Sequence, residues 1–231
     1  MQNFKICLAV ALMLAVTFVQ AQDEEVSEFK PKGGDHNLEL RLAPLSGTPI
    51  SIPGIRYRNF QDSKSAFRLN VFLGYDRNST ITQEEDGDRD LEELRDINSN
   101  FDLTIRPGYE IHFGGTDRLS PYFGGELDLG FGRSREVNER QDGDGDVLQA
   151  TTRNGYFRIG LNAVAGFDYY IAKNLYLGTE LGYGFGFNLP SATRIEDDDS
   201  DIDDVETSTG NTRTFNLAPT VVGQIRIGYI F

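Results

Sequence analysis

Strict alternation of apolar and polar residues is the feature that most restricts how this 231-residue chain can fold. From Phe215 to Phe231 every second position holds an apolar residue, glycine or proline, and Asn216, Gln224 and Arg226 lie between them. Because successive side chains of a β-strand point to opposite faces, this period predicts a strand with one apolar and one polar face. A helix would instead place its apolar residues three or four positions apart. The chain is therefore expected to be all-β.

The same alternation recurs along the chain, for example over 67–75 and 101–113. Short and long connections follow each other regularly between these segments. This layout is typical of a transmembrane barrel with tight turns at one end and long loops at the other. We predict an eight-stranded antiparallel up-and-down transmembrane β-barrel. Its strands are expected at about 37–44, 54–61, 66–76, 101–113, 121–133, 154–169, 175–188 and 214–231.

The net charge of −14 lies almost entirely in three long connections, 77–100, 134–153 and 189–213. They hold 21 acidic and 8 basic residues, and this excess of negative charge argues against a nucleic-acid partner. Because these connections are poor in large apolar residues, we predict solvated, acidic extracellular loops. Asp142, Asp144 and Asp146 alternate as the first ligands of a calcium loop do, but Val147 and Arg153 take its glycine and final ligand positions. Weak Ca²⁺ or Mg²⁺ binding by the loops stays open, and no other cofactor is expected.

Residues 1–21 are typical of a secretory signal peptide. Lys5 precedes an apolar run over 6–19, and Val19-Gln20-Ala21 ends it as a cleavage site does. The mature chain is expected to begin near Gln22, with 22–36 as a flexible acidic segment before a barrel over 37–231. Cys7, the only cysteine, lies in the leader, so no disulfide is expected after export.

The polar face of the predicted strands is rich in arginine and carboxylates. A solvated surface more often uses lysine, whereas the planar guanidinium of arginine satisfies several acceptors in an enclosed space. We therefore expect the polar face inside and the apolar face against lipid. The alternative is a soluble barrel whose apolar side chains line a ligand cavity.

Eight strands enclose an interior only wide enough for side chains to fill. Since unpaired charges there would be costly, we expect a salt-bridge network that plugs the lumen. Glu126 and Asp128 should lie between the strands of Arg106 and Arg158, and Glu39 beside the strand of Arg226. The predicted network comprises Glu39, Arg41, Arg56, Arg58, Arg68, Arg106, Glu110, Glu126, Asp128, Arg158, Glu180 and Arg226.

Aromatic residues of the apolar face cluster towards both ends of the predicted strands, as they do at the two interfaces of a bilayer. One set is expected near the short turns and the other near the long loops. The first set is Phe67, Phe113, Phe123, Phe167, Tyr169 and Phe231, and the second is Tyr75, Phe101, Phe131, Phe187 and Phe215.

The leader, the eight alternating strands and the ending Ile225-x-Ile227-x-Tyr229-x-Phe231 resemble the small, porin-like bacterial outer-membrane β-barrels of the outer-membrane protein A and X type. The resemblance implies a Gram-negative outer-membrane location and a barrel-assembly signal at Tyr229 and Phe231. It also implies lipid, lipopolysaccharide and the barrel-assembly machinery as partners, and we expect a monomer. Some family members have a peptidoglycan-binding domain, and we expect no counterpart after Phe231, so a cell-wall tethering role is not carried over.

The positions of the histidines argue against an enzyme. Acyl transfer or hydrolysis on lipid A would need a histidine and a nucleophile near the outer leaflet. His36 and His112, the only histidines, are expected at the end of the barrel that carries the short turns, away from the outer leaflet. We therefore expect a non-enzymatic barrel with a plugged lumen and a structural or adhesive role at the cell surface. The alternative is a narrow porin-like channel for small solutes.

Overall fold

The structure is a computed structural model that describes residues 27–42, 54–84, 92–141, 146–198, 205–207, 214–219 and 225–231. Every regular element in these ranges is a strand. No helix in the described ranges is long and apolar enough to span a membrane. The strands are β1 (His36–Leu42), β2 (Ile55–Phe60), β3 (Ser65–Glu84), β4 (Glu92–His112), β5 (Leu119–Gln141), β6 (Val147–Ala172), β7 (Leu175–Pro190), β8 (Thr193–Asp197), β9 (Val205–Thr207), β10 (Thr214–Pro219) and β11 (Ile225–Ile230).

The strands close into a ring of eight antiparallel positions. Strands β1 to β7 pair consecutively, and β10 and β11 share the eighth position, pairing with successive parts of β7. The ring closes where β11 pairs with β1, with Asn37 opposite Ile230. The predicted all-β, eight-stranded antiparallel fold is confirmed. The predicted strand 214–231 appears as β10 and β11, and residues 220–224 lie outside the described ranges.

The first two long connections are largely strand rather than loop, which corrects the prediction of long acidic loops there. Strands β3 and β4 stay paired to Glu84 and Glu92, and β5 and β6 stay paired to Gln141 and Val147. Part of the third connection pairs as β8 and β9. Backbone pairing between these strands needs no continuous apolar face, so the shortage of large apolar residues did not reveal it.

Three tight connections between neighbouring strands of the ring lie at one end of it, called here the short-turn end. They are residues 61–64, 113–118 and 173–174, and Phe231 ends the chain beside them. The opposite end, the far end, carries the extended hairpins β3–β4 and β5–β6. The described parts of β1, β2 and β11 are six or seven residues long.

The two faces of the ring have opposite polarity. The burial pattern of β11 alternates strictly, with Arg226 fully buried and Ile225, Ile227 and Tyr229 exposed. Large apolar side chains such as Leu181, 71% exposed, cover the outside. The buried apolar cluster is small and consists of Tyr170, Tyr176 and Ile230, with Phe29 packed against it. An apolar outer face and a polar inner face are typical of a barrel that stands in apolar surroundings.

Aromatic side chains stand on the outer face near both ends of the strands. Near the short turns, Phe113 and Phe123 pack with their ring centroids 5.7 Å apart. Nearer the far end, the ring centroids of Phe187 and Phe215 are 5.4 Å apart. Tyr183 and Phe185 also occupy this face in the middle of β7, so the aromatic residues are less confined to the ends than the sequence suggested.

The described part of the N-terminal segment, residues 27–35, crosses the short-turn end. The guanidinium carbon of Arg118 lies 4.0 Å from the ring centroid of Phe29. Ser27 Oγ donates a hydrogen bond to the backbone carbonyl of Asp117 at 2.6 Å. Lys173 Nζ lies 2.8 Å from a carboxylate oxygen of Glu28. This salt bridge lowers the pKa of the exposed Glu28 carboxyl. Residues 27–35 are called the strap below.

Candidate functional site

Six arginines and six carboxylates meet inside the ring, and this balanced set is the candidate site. Their side chains come from all eight ring positions, and most are fully buried. Because a charge removed from water is stable only when it is paired, the geometry of these contacts decides what the interior can do. The set is Arg56, Arg58, Arg68, Arg106, Arg158 and Arg226 with Glu39, Glu110, Glu126, Asp128, Asp168 and Glu180.

The layer nearest the short-turn end is built around Arg58 of β2. Its three guanidinium nitrogens lie 2.7 Å from Glu39, 2.7 Å from Glu110 and 2.8 Å from Asp168. Arg226 joins the same layer, 2.9 Å from Glu39 and 3.0 Å from Asp168. One guanidinium thus links carboxylates from β1, β4 and β6, and these contacts cross the interior from wall to wall.

The middle layer is built around Glu180 of β7. Arg56 lies 2.8 Å and Arg68 2.9 Å from its carboxylate oxygens. Tyr122 donates its hydroxyl to the same carboxylate at 2.6 Å. Arg68 also lies 2.6 Å from Glu126 and 3.0 Å from Glu110, so it joins this layer to the first one.

The layer towards the far end is smaller and partly open to solvent. Asp128 accepts from Arg158 Nε at 3.0 Å, and Arg106 Nε lies 2.6 Å from its other oxygen. The side chains of Arg106 and Arg158 are 19% and 33% exposed, whereas the four arginines of the first two layers are fully buried. Water therefore reaches the interior from the far end as deep as this layer.

Neutral polar side chains complete the network. Asn70 accepts from Arg56 Nε at 2.6 Å and donates to Glu126 at 2.6 Å. His112 Nε2 lies 3.1 Å from Glu110, and its Nδ1 lies 2.8 Å from Ser120 Oγ. These bonds use carboxylate lone pairs that the arginines leave open, as a buried polar network requires.

Glycines of the inward face make room for the long side chains. A Cβ on Gly178 would lie 2.6 Å from both Arg226 Nη2 and Asp168 Oδ1. A Cβ on Gly130 would lie 3.0 Å from Arg158 Nη2. The glycine content of these strands therefore follows from the size of the charged residues opposite them.

The structure describes the side-chain contacts of most residues in the predicted network. Glu126 pairs with Arg68 rather than with Arg106 or Arg158, and Asp128 contacts both of those arginines. Glu39 contacts Arg226 across the β1–β11 ladder. The side chain of Arg41 lies outside the described residues.

The remaining predicted sites lie elsewhere. Asp142 and Asp144 are outside the described residues, and Asp146 is exposed beside β6. The described part of the chain contains no group of three or more potential metal-ligating side chains. Tyr229 is exposed on the outer face, and the backbone of the exposed Phe231 exchanges hydrogen bonds with His36. Its role in assembly stays a prediction.

Asp168 is the charged residue that the sequence analysis missed. It lies ten residues after Arg158 on β6 and so has the same strand parity, which was the available signal. Tyr122 and Asn70 have the inward parity of Glu126 and Arg68 and were also missed. Formal charge was the criterion for the predicted network, and this criterion does not identify neutral polar residues on the same face.

Residues 91–187 match the model of the Putative OmpA-OmpF-like porin family. Neither the curated proteins nor the solved structures that were searched gave a match. The matched segment includes most of β4 to β7, which supply Glu110, Glu126, Asp128, Asp168 and Glu180. Such porin-like proteins are outer-membrane β-barrels and generally non-enzymatic. Residues 91–187 are thus similar to the OmpA-OmpF-like porin family, and they lie within a ring of eight antiparallel strands whose interior is a buried salt-bridge network.

Proposed function

We propose that this protein is an integral barrel of the bacterial outer membrane, exported by its N-terminal leader, whose interior is closed by paired charges. The observation that carries the proposal is the first two layers of the network. Three fully buried arginines reach carboxylates on the opposite side of the ring. Arg58 lies 2.8 Å from Asp168, and Arg56 and Arg68 lie 2.8 Å and 2.9 Å from Glu180. An eight-stranded interior has little room beyond its side chains, so this cross-linking would leave no continuous water path.

The proposed role at the cell surface is structural or adhesive. The hairpins β3–β4 and β5–β6 extend beyond the closed part of the ring and carry much of the acidic charge. Projecting segments on a rigid scaffold are where binding specificity is usually found. With a closed interior, the exposed hairpins are the part of the barrel best suited to meet a partner.

Cysteine labelling tests the proposed orientation. The exported chain is expected to contain no cysteine, so single cysteines at Thr80 in the β3–β4 hairpin and at Ser63 in a short turn give specific sites. A membrane-impermeant maleimide should label Thr80→Cys on intact cells and should label Ser63→Cys only after the outer membrane is broken. Labelling of Ser63→Cys on intact cells would contradict the orientation, and recovery of both variants in the soluble fraction would contradict the membrane location.

A narrow porin-like channel is the second candidate function. The partial exposure of Arg106 and Arg158, together with the family match, favours it. In a liposome-swelling assay a channel would admit small sugars at a rate proportional to the amount of folded protein. The closed-barrel proposal expects the swelling rate of empty liposomes.

A further inference from the structure

The distribution of lysine sets one end of this molecule apart. The chain has five lysines, and apart from Lys5 in the leader all of them lie at the short-turn end. These are Lys30 and Lys32 in the strap, Lys64 in the β2–β3 turn and Lys173 in the β6–β7 turn. The acidic hairpins occupy the opposite end, so the molecule is electrostatically polar along its axis.

Three of these lysines line one cavity of about 130 Å³. Lys30, Lys32 and Lys64 surround it, and His112 and Ser120 contribute to its lining. None of the residues described around the cavity carries a carboxylate. Pockets for drug-sized ligands measure about 300–1,000 Å³, so this space suits a single small group.

Part of the cavity wall is fixed by buried polar groups. His112 and Ser120 are each 4% exposed and lie 2.8 Å apart through Nδ1 and Oγ. Glu110 holds the other ring nitrogen of His112 at 3.1 Å and is itself held by Arg58 and Arg68. The salt-bridge network therefore anchors a hydroxyl and an imidazole beside three lysine ammonium groups.

We propose that this cavity binds a phosphate group, supplied either by free phosphate or by the headgroup of a phospholipid in the adjacent leaflet. Lysine binds phosphate as a point charge, and hydroxyl groups supply further hydrogen bonds to its oxygens. Lys30 and Lys64 also interact with other groups of the chain, and their flexible stems allow them to turn towards a ligand.

The test begins with the folded wild-type protein in a maltoside detergent, which contains no phosphate. Calorimetric titration with inorganic phosphate should show one saturable site with a dissociation constant of about 1 mM or lower. The triple variant Lys30→Gln, Lys32→Gln, Lys64→Gln should bind at least about tenfold more weakly. Lys173→Gln is the matched control, because Lys173 lies at the same end and pairs with Glu28 outside the cavity. Absence of saturable binding to the wild type, or equal binding to the triple variant, would overturn the proposal.

A second arm identifies the source of the phosphate group. The same titration is repeated with the protein in phosphatidylglycerol-containing nanodiscs. Loss of the calorimetric signal there, with the signal in detergent retained, means that lipid headgroups occupy the site. Equal binding in both media assigns the site to free phosphate. Only this arm rests on the proposed membrane location, so a chain that fails to enter nanodiscs yet binds phosphate in detergent contradicts the location and not the cavity.

Discussion

At the scale of single residues, each buried arginine of the interior is shared by several carboxylates. Arg58 contacts three of them and Arg68 also contacts three. A buried ion pair adds little net stability, because desolvation of both charges offsets their attraction. The penalty appears when one partner is removed and the remaining charge stays buried. Shared contacts should therefore make the cost of a substitution depend on how many arginine contacts it removes.

Glu180→Gln tests this dependence, because Glu180 lies within 3.0 Å of both Arg56 and Arg68. We expect the free energy of unfolding to fall by about 3–5 kcal/mol, measured by urea titration of the refolded protein in detergent micelles. Glu126→Ala should cost less, because Arg68 keeps Glu110 and Glu180. Glu93→Gln is the control, since its pair with Arg95 is long, at 3.9 Å, and about half exposed, and should change stability by less than about 1 kcal/mol. Equal values for Glu180→Gln and Glu93→Gln would contradict the account.

Glycine positions offer a second test at the same scale. A Cβ on Gly178 would lie 2.6 Å from the Arg226–Asp168 pair, whereas a Cβ on Gly74 would meet its nearest atom at 3.8 Å. We expect Gly178→Ala to destabilise the protein by about 1–3 kcal/mol through overcrowding, with Gly74→Ala close to neutral. Both are read from the same urea titration. A neutral Gly178→Ala would mean that the interior is looser than these contacts indicate.

At the scale of elements, the closed ring and the projecting hairpins are different structures. Strands β3 to β6 continue beyond the described parts of β1, β2 and β11 as the β3–β4 and β5–β6 ribbons, and Asp96–Asn100 of β4 also pair with Ser134–Asn138 of β5. The ribbons have no share in the charged interior, since Arg77–Glu84 and Glu92–Asn98 pair beyond its outermost layer. The ring should therefore fold without the β3–β4 ribbon.

Replacing residues 77–99 by Asn-Gly tests this independence. Asp76 and Asn100 are directly opposite each other, so a two-residue turn between them preserves the hairpin register. We expect the shortened chain to fold, with the heat-dependent gel mobility of a folded barrel, although it loses the pairing of Asp96–Ser99 with Arg135–Asn138 of β5. A shortened chain that migrates as unfolded protein before heating would show that the ribbon belongs to the folding unit.

At the scale of the whole molecule, the number of strands and which face of each strand points inward could be predicted. The height of each side chain along the axis of the ring could not. The alternation over Phe215–Phe231 and the parity of Glu39 and Arg226 identify which residues point inward. In a closed ring the strands tilt and stagger, so residues distant in sequence meet at one height. This stagger brings Arg58 to Glu110 and Asp168, and pairs Glu126 with Arg68.

The length of the strands could also not be predicted from the alternation of apolar and polar residues. Residues such as Thr80, Thr82 and Ile97 lie in paired strands, although the segment around them lacks a continuous apolar face. Hydrophobic alternation marks strands that separate two environments along their whole length, whereas this extension buries isolated apolar side chains such as Leu94 and Val137. Cross-strand backbone pairing is a non-local property that a count of apolar residues does not measure.

The central claim is that paired charges close the interior of a folded membrane barrel, and single-channel conductance in a planar bilayer tests it most directly. Heat-dependent gel mobility verifies that the inserted protein is folded, and a known porin under the same salt serves as the positive control. The account predicts that folded wild-type protein gives no steady conductance. Steady, reproducible channels from wild-type protein would contradict it and would make Arg56, Arg106 and Glu126 the first candidates for selectivity.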